Sequence, residues 1–361
     1  MQEKYYMKPW ELFAVILNLT IYKIFTVYSR VFVDTSGPGA AISALLSGAA
    51  AFLVVWLLIT LQKKYKGKTL IEIAEEKLGD WAKYIIFALI FVYLLFSAAM
   101  TLCETGEFIR AVSFPSAPLM FIFLFIIAGS VICCAQGFDA IGRTHSIVIP
   151  FAALVTVIIT LFAIPKGTVS NLTPYLGGGA KSVFLNGLSG IGLYGDLIIL
   201  FMLAPFSNPE TKFKSTALLS VGTGVLINFL VILSYTMSAP YEISKTIIHP
   251  MYQLVKLFSM GKFLQRTDGY FLYISTVCGI LSVSLNLFFA AYAAKEVFLL
   301  PKVRPLSYPL GAAAVFLAIL PESREGAYSV SKNSLWVWFA VIFAAVFLTL
   351  AVPRKGKEKC R

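Results

Sequence analysis

Ten apolar stretches, each about 20 residues long, constrain this chain more than any other feature, because each is long enough to cross a bilayer. They cover residues 10–33, 39–61, 82–103, 117–135, 146–164, 183–206, 215–237, 269–294, 306–320 and 334–352. Of the 361 residues, 58% are hydrophobic and 13% are charged. A soluble domain is about 45–50% hydrophobic and about 25% charged. Because backbone in lipid must satisfy its own hydrogen bonds, the segments are predicted to be helices. The sequence predicts an all-α integral membrane protein of about ten transmembrane helices, with no large soluble domain.

The distribution of basic residues predicts how these spans are oriented. With the N-terminus inside, the cytoplasmic segments carry 19 Lys and Arg residues and the outer segments carry 9. The remaining two, Lys23 and Arg30, lie inside the first span. Basic residues accumulate on the cytoplasmic side, so both termini are predicted there. This bias also explains the net charge of +12 without a nucleic-acid partner. The segment 62–81, a predicted cytoplasmic surface helix, opens with a lysine cluster suited to anionic membrane lipid.

Several classes of function find little support in the residues. The five cysteines form no C-x-x-C pair, and four of them lie in apolar segments, as buried cysteines do. His145 and His249 are far apart in the sequence, so no metal site is predicted. No nucleophile–base pair stands out either. We therefore expect neither an enzyme nor a bound cofactor.

Span 6 combines an apolar run with three glycines and an acid. Gly190, Gly192 and Gly195 precede Asp196 in the stretch S-G-I-G-L-Y-G-D-L-I-I-L-F-M-L-A-P, residues 189–205. Irregular backbone is tolerated in a membrane only where it faces protein or a cavity, and broken helices hold ligands in many transporters. The alternative is that the glycines only permit close helix packing. Asp196 is either the N-cap of a second half-helix or an acid in a cavity.

Span 1 is the other unusual segment, because it carries charge at membrane depth. Asn18 and Thr20 lie in its middle and are followed by Lys23 and Arg30. Charged side chains in a span face the bundle interior or water and mark function or pairing. Arg30 is close enough to the outer end to reach the headgroups, whereas Lys23 is not. Lys23 is therefore a candidate for a functional or charge-pairing role.

Three further polar patterns admit more than one interpretation. Span 3 ends with Glu104, Glu107 and Arg110, which form either a solvated helix end with an i, i+3 ion pair or a charged vestibule. Span 8 places Thr276, Gly279 and Ser282 near one face, where hydroxyls bond neighbouring helices or line a site. After Pro250 an amphipathic pattern, Met251, Leu254, Val255 and Phe258, predicts a helix on the outer face that ends at Gly261.

Three blocks of residues resemble the spore germination permease-like family, the multi-span B subunits of germinant receptors within the amino acid–polyamine–organocation superfamily. They are N-L-T-P-Y-L-G-G-G at 171–179, G-L-Y-G-D-L-I-I-L-F-M-L-A-P-F at 192–206, and H-P-M-Y-Q-L-V-K-L-F-S-M-G-K-F-L-Q-R-T-D at 249–268. None is a catalytic signature, and the third is the most family-specific. With the ten spans, the resemblance covers essentially the whole chain.

The resemblance implies a leucine-transporter-type fold, in which five spans recur with inverted topology and spans 1 and 6 are discontinuous. The single transmembrane domain would comprise a first repeat at about 10–165, a second at about 183–352, and a basic cytoplasmic tail at 353–361. Spans 1 and 6, the two unusual segments, are the first members of these halves. Three features depart from the pattern, and one of them is that span 8 lacks the family's usual Trp. Span 1 has Asn18, Leu19 and Thr20 where such helices unwind at glycines, and span 5 lacks the lysine that replaces a sodium ion in some proton-coupled relatives.

The resemblance also implies that a small ligand sits between spans 1, 3, 6 and 8. Exposed backbone from Leu193 to Gly195 would meet the ligand's charged ends, and the positive end of the following half-helix would favour a carboxylate. Lys23 and Asp196 would pair when the pocket is empty. The expected ligand-binding residues are Asn18, Thr20, Lys23, Gly192, Leu193, Tyr194, Gly195, Asp196, Thr276 and Ser282.

The function implied is that of a nutrient germinant receptor subunit in the spore inner membrane. It would bind a small molecule, an amino acid by expectation, and pass a signal to an A subunit and a lipoprotein C subunit. The alternatives are a proton- or sodium-coupled amino acid transporter, with Asp196 as the group that takes up the proton, and a scaffold subunit with a degenerate pocket. One fold serves all three, so the sequence leaves them open.

Overall fold

A computed structural model of the chain describes residues 6–26, 28–62, 64–65, 70–203, 206–207, 212–257, 267–321 and 324–351. These residues are almost entirely helical, and each predicted span falls on one helix or on a helix that is interrupted. Eight helical stretches are long and apolar enough to cross a membrane, and span 9 is a shorter apolar helix. From span 1 to span 10 the helices are Pro9–Ile21 with Tyr28–Ser36, Ala40–Gln62, Asp80–Val112, Leu119–Gln136, Phe138–Ala163, Ala180–Ser189 with Ile199–Leu203, Phe213–Ser238, Thr267–Val297, Ser307–Ile319 and Arg324–Ala351. The predicted basic tail at 353–361 lies outside the described residues.

Span 1 is discontinuous, as predicted, but its break lies later than the sequence suggested. The α-helix continues through Asn18 and Thr20 to Ile21, tightens into a 3₁₀ turn at Tyr22–Phe25, and leaves helical geometry at Thr26 with φ −114° and ψ −90°. Tertiary contacts hold this turn, since the Tyr22 hydroxyl lies 2.5 Å from that of Thr105 on span 3. No glycine is needed, because φ stays negative through the turn.

Span 6 is also discontinuous, and its break is a long 3₁₀ segment, Gly190–Ile198, between two short α-helices. The glycines allow neighbouring spans to approach. A Cβ on Gly192 would lie 2.3 Å from the Trp336 backbone nitrogen, and one on Gly195 would lie 2.3 Å from the Tyr93 hydroxyl. The span is therefore broken, and its glycines also permit close packing with spans 3 and 10. The N-cap interpretation of Asp196 is wrong, because the residue lies within the 3₁₀ segment rather than at the start of a new α-helix.

Span 8 lies at the centre of the bundle and packs against span 3 along its length. Its apolar window is 78% buried within the protein, whereas that of span 4 is 33% buried. The 3₁₀ segment of span 6 packs on span 10, and the first half of span 1 packs on spans 5 and 7. Spans 1 and 6 are thus enclosed by other helices, which is the setting in which irregular backbone is stable in a membrane.

The two amphipathic segments form helices. Leu70–Leu78 lies within the predicted surface segment, and its Lys77 is 3% exposed with Nζ 2.9 Å from the carbonyl of Leu350. A lysine at the last carbonyls of a helix stabilises its C-terminal end, so this segment anchors span 10. Pro250–Leu257 buries Met251, Leu254 and Val255, as the pattern predicted. Phe258 and Gly261 lie outside the described residues.

Candidate ligand site between the broken spans

A buried ion pair joins the two interrupted spans. Lys23 Nζ lies 3.1 Å from Asp196 Oδ2, and the two side chains are 6% and 5% exposed. The charge-pairing role predicted for Lys23 is therefore present. The two groups are within ion-pair distance but are not aligned for a hydrogen bond, and within the described residues Nζ makes no hydrogen bond of good geometry. An ammonium has three donors, so Lys23 keeps hydrogen-bonding capacity in a buried position.

The second oxygen of Asp196 is held by spans 3 and 8. Oδ1 accepts hydrogen bonds from the Tyr93 hydroxyl at 2.8 Å and from the Ser97 hydroxyl at 2.6 Å. Asn286 of span 8 donates in turn to Ser97 at 3.3 Å. One oxygen of the Asp196 carboxyl group is thus held by span 3, and the other faces the ammonium of span 1. Spans 1, 3, 6 and 8 thus meet at Asp196, as the resemblance implied.

Replacing Tyr93 by phenylalanine is expected to lower the free energy of unfolding by about 1–3 kcal/mol, because the buried carboxylate loses a donor. Tyr273→Phe is the control: Tyr273 is 73% exposed, so this change should alter the free energy of unfolding by less than about 0.5 kcal/mol. Unfolding of both variants in detergent micelles measures the difference. Equal effects would show that the Tyr93 hydroxyl does not support Asp196.

Glu104 forms a second buried acidic position, contrary to the predicted solvated helix end. It is 8% exposed, and it accepts hydrogen bonds from Thr26 at 3.0 Å and from Ser331 at 2.8 Å. The predicted i, i+3 pair of Glu107 and Arg110 is present at 2.8 Å, although Glu107 is also buried. The helix extends to Val112, and the hydrogen bonds from Thr26 of span 1 and Ser331 of span 10 enclose Glu104.

A hydroxyl pair lies beside the break of span 1. Tyr28 and Tyr194 approach to 2.5 Å between their oxygens, and Asn228 of span 7 lies 3.4 Å from the Tyr194 hydroxyl. Asn228 also donates to the Thr20 carbonyl at 2.9 Å, while the Thr20 hydroxyl bonds its own helix at the Leu17 carbonyl. Span 7 therefore holds the first half of span 1 against span 6.

The other predicted site residues occupy different surroundings. Asn18 faces span 5 and lies 3.2 Å from His145, away from the ion pair. Ser282 is 4% exposed and lies one turn before Asn286, on the side of span 8 that faces span 3. Thr276, six residues earlier, is only partly buried. The structure thus brings Lys23 and Asp196 together and leaves the ligand roles of the remaining residues as predictions.

A cavity of about 200 Å³ opens next to this cluster, at the end of the bundle away from Met7 and Ala351. We call it the vestibule. Ser331 lines it and also donates to Glu104, so the vestibule ends against the buried acidic position. Its walls come from spans 1, 6 and 10, and they are Val31, Thr35, Asn186, Ser189, Gly190, Leu193, Ser331, Lys332, Asn333, Leu335 and Trp336.

The sequence did not single out Tyr93, Ser97 or Ser331. Tyr93, Ser97 and Glu104 recur at spacings of four and seven residues in an otherwise apolar span, which places them along one face. This polar stripe was the sequence signal that could have identified the face of span 3 that points into the bundle. Ser331 lies just before span 10 as predicted, and no pattern in the sequence links it to Glu104.

Comparisons with known proteins agree on the class of this chain. A family model described as "Spore germination protein" matches residues 6–327. Spore germination protein KB of Bacillus subtilis (strain 168) is 21% identical over 337 residues, which are 90% of each chain. A crystal structure of MhsT in complex with L-phenylalanine superimposes with a TM-score of 0.73 at 13% identity, covering 96% of this chain and 90% of that one. This likeness confirms the predicted leucine-transporter-type fold.

Proposed function

This chain belongs to the spore germination protein family and is a multi-pass, transporter-like membrane protein, and from that premise we propose that it is a nutrient receptor subunit that binds an amino acid at Lys23 and Asp196. The observation that carries the proposal is the ion pair itself. It lies where both broken spans meet, it is buried, and it offers one positive and one negative partner side by side. A zwitterionic ligand needs both.

The ligand would exchange partners with the pair. Its carboxylate would bind the Lys23 ammonium, and its ammonium would bind the Asp196 carboxylate. A zwitterionic ligand adds no net charge to the pair, so each charge of the Lys23–Asp196 pair keeps a partner. The unused donor capacity of Lys23 favours this exchange, since it allows a better aligned, charge-assisted hydrogen bond than Asp196 provides. The L-phenylalanine named in the MhsT complex supports an amino acid as the ligand class.

The backbone of the span 6 break contributes to the same site. Leu193, Tyr194 and Gly195 lie in a 3₁₀ segment, whose hydrogen-bond geometry is poorer than that of an α-helix. Peptide groups in such a segment are available to a ligand's charged ends. Leu193 also lines the vestibule, and by this proposal the ligand would approach the pair from there.

Family membership and the distribution of basic residues support the remaining features of the proposal. The protein would lie in the spore inner membrane with both termini in the cytoplasm, and it would act with an A subunit and a lipoprotein C subunit. Ligand binding would shift the relative positions of the half-helices, and that shift would be the signal. The competing function is coupled amino acid transport, which the fold likeness to MhsT favours.

Proteoliposomes distinguish the two functions. The full chain, reconstituted and supplied with labelled L-amino acids under an imposed proton or sodium gradient, is expected to bind one of them saturably without accumulating it. Accumulation that collapses with the gradient would contradict the receptor assignment and establish transport. Absence of binding across the standard amino acids would contradict the ligand assignment.

A further inference from the structure

Glu104 is a buried acid whose surroundings differ from those of Asp196. Within the described residues no cation lies within 4 Å of its carboxyl group, and its hydrogen-bond partners are the neutral hydroxyls of Thr26 and Ser331. Lys23 is within electrostatic range, but its ion pair is with Asp196. Burying an ionised carboxylate without a paired cation is costly, and such a group neutralises by taking up a proton.

The charge balance of the whole cluster leads to the same conclusion. Lys23 and Asp196 cancel, and Arg110 cancels Glu107 one turn beyond. Among the described residues, Glu104 then remains as the acid of this cluster without an ion partner. The titratable and charged groups around it are Tyr22 and Lys23 on span 1, Cys103, Glu107 and Arg110 on its own span, Asp196 on span 6, Cys278 on span 8 and Lys332 on span 10.

We propose that Glu104 is a proton-binding site that is neutral in the ligand-free protein and loses its proton when a ligand ammonium enters the cluster. The release step rests on the proposed function, whereas the proton site does not. In that step the O–H bond of the carboxylic acid breaks, its electron pair stays on the carboxylate, and the proton passes to water in the vestibule. No other bond changes.

The hydrogen-bond partners of Glu104 suit both protonation states. A hydroxyl group donates to a carboxylate and accepts from a carboxylic acid by rotating about its C–O bond. Ser331 connects the acid to the vestibule, so it marks the route by which a proton would leave. Thr26 connects it to the break of span 1. Protonation of Glu104 is therefore linked to the half-helix that the ligand is proposed to move.

Infrared spectroscopy tests the proton site without a ligand. At neutral pH the ligand-free protein is expected to show the carbonyl stretch of a protonated carboxylic acid, and Glu104→Gln should remove it. Glu107→Gln is the matched control, because Glu107 has Arg110 as its ion partner, and it should leave the band in place. A band that is absent from the wild type, or that persists in Glu104→Gln, would overturn the assignment.

Calorimetry in two buffers of different ionisation enthalpy tests the release step. Titration with the standard L-amino acids should show about one proton released per ligand bound, and affinity should rise by up to about tenfold per pH unit. In Glu104→Gln, binding should persist with no proton released. Binding by the wild type without proton release would overturn the release step and leave the proposed function standing. Absence of binding, with the infrared band present, would overturn the ligand assignment and the release step together.

Discussion

Replacing Lys23 by methionine is expected to lower the free energy of unfolding by about 3–5 kcal/mol. The change leaves the Asp196 carboxylate buried, with the hydroxyls of Tyr93 and Ser97 as its partners among the described residues. The attraction between two buried ions offsets the cost of removing them from water, and that attraction is lost when one ion is removed. Methionine has nearly the length of lysine, so the loss reports charge more than packing. Unfolding in detergent micelles, followed by circular dichroism, measures the effect.

Two further variants isolate the pairing. Lys23→Met combined with Asp196→Leu removes both charges and should recover most of the stability lost in Lys23→Met alone, because a buried ion pair is replaced by apolar side chains. The matched control is Arg143→Met. The Arg143 side chain is 68% exposed, and its guanidinium lies 3.7 Å from the carboxylate of Asp139. That exposed pair should contribute about 0–1 kcal/mol. A double variant as unstable as Lys23→Met would argue that lysine acts through packing.

Gly195→Leu is expected to abolish the response to ligand. Even a Cβ at this position would lie 2.3 Å from the Tyr93 hydroxyl, and a larger side chain would push Tyr93 off Asp196. Overpacking of this kind costs about 1–3 kcal/mol and displaces the residues that hold the ion pair. Ligand-triggered germination, measured in spores with normal levels of the protein, reads out the loss.

The control for this prediction is Gly269→Leu. Gly269 belongs to span 8, and a Cβ at this position would meet no described atom of a neighbouring residue within 4 Å, so a larger side chain there enters open space. The Gly269 variant should respond as the wild type does. Gly192→Ala offers an independent test at the same break, since its Cβ would meet the backbone of Trp336, which cannot rotate away. A normal response in both Gly195→Leu and Gly192→Ala would remove the span 6 break from the site.

The parts of the site that the sequence predicted are its rare residues. Lys23 and Asp196 stood out because a charge in an apolar span is costly and therefore unusual. Tyr93, Ser97 and Asn286 did not, because polar side chains of this kind occur in many membrane helices as simple packing contacts. Their role depends on which spans meet, and one sequence does not contain that information.

The position of the break in span 1 illustrates a second limit. The sequence suggested Asn18 to Thr20, whereas the chain leaves the α-helix after Ile21. Glycine marks a break when the backbone needs positive φ or close approach, and span 1 needs neither at Tyr22–Phe25. The hydroxyl contact between Tyr22 and Thr105 lies in tertiary structure, beyond the reach of local pattern.

Glu104 shows why helical periodicity alone misplaced a residue. Spacing correctly predicted that Glu107 and Arg110 form an ion pair, since residues three apart are neighbours on a helix. The i, i+3 spacing did not tell which side of span 3 faces protein; the polar stripe of Tyr93, Ser97 and Glu104 was the signal for that. The enclosure of Glu104 by Thr26 and Ser331 follows from the packing of spans 1 and 10.

The most direct test of this account is equilibrium binding of labelled L-amino acids to the purified full chain and to its Asp196→Asn variant. The amide keeps the size of the side chain and can still bond Tyr93 and Ser97, but it offers no charge to a ligand ammonium. We predict saturable binding of one amino acid by the wild type and at least a tenfold weaker affinity, about 1.4 kcal/mol, in the folded variant. Equal affinity in the two proteins would contradict a ligand site at the Lys23–Asp196 pair.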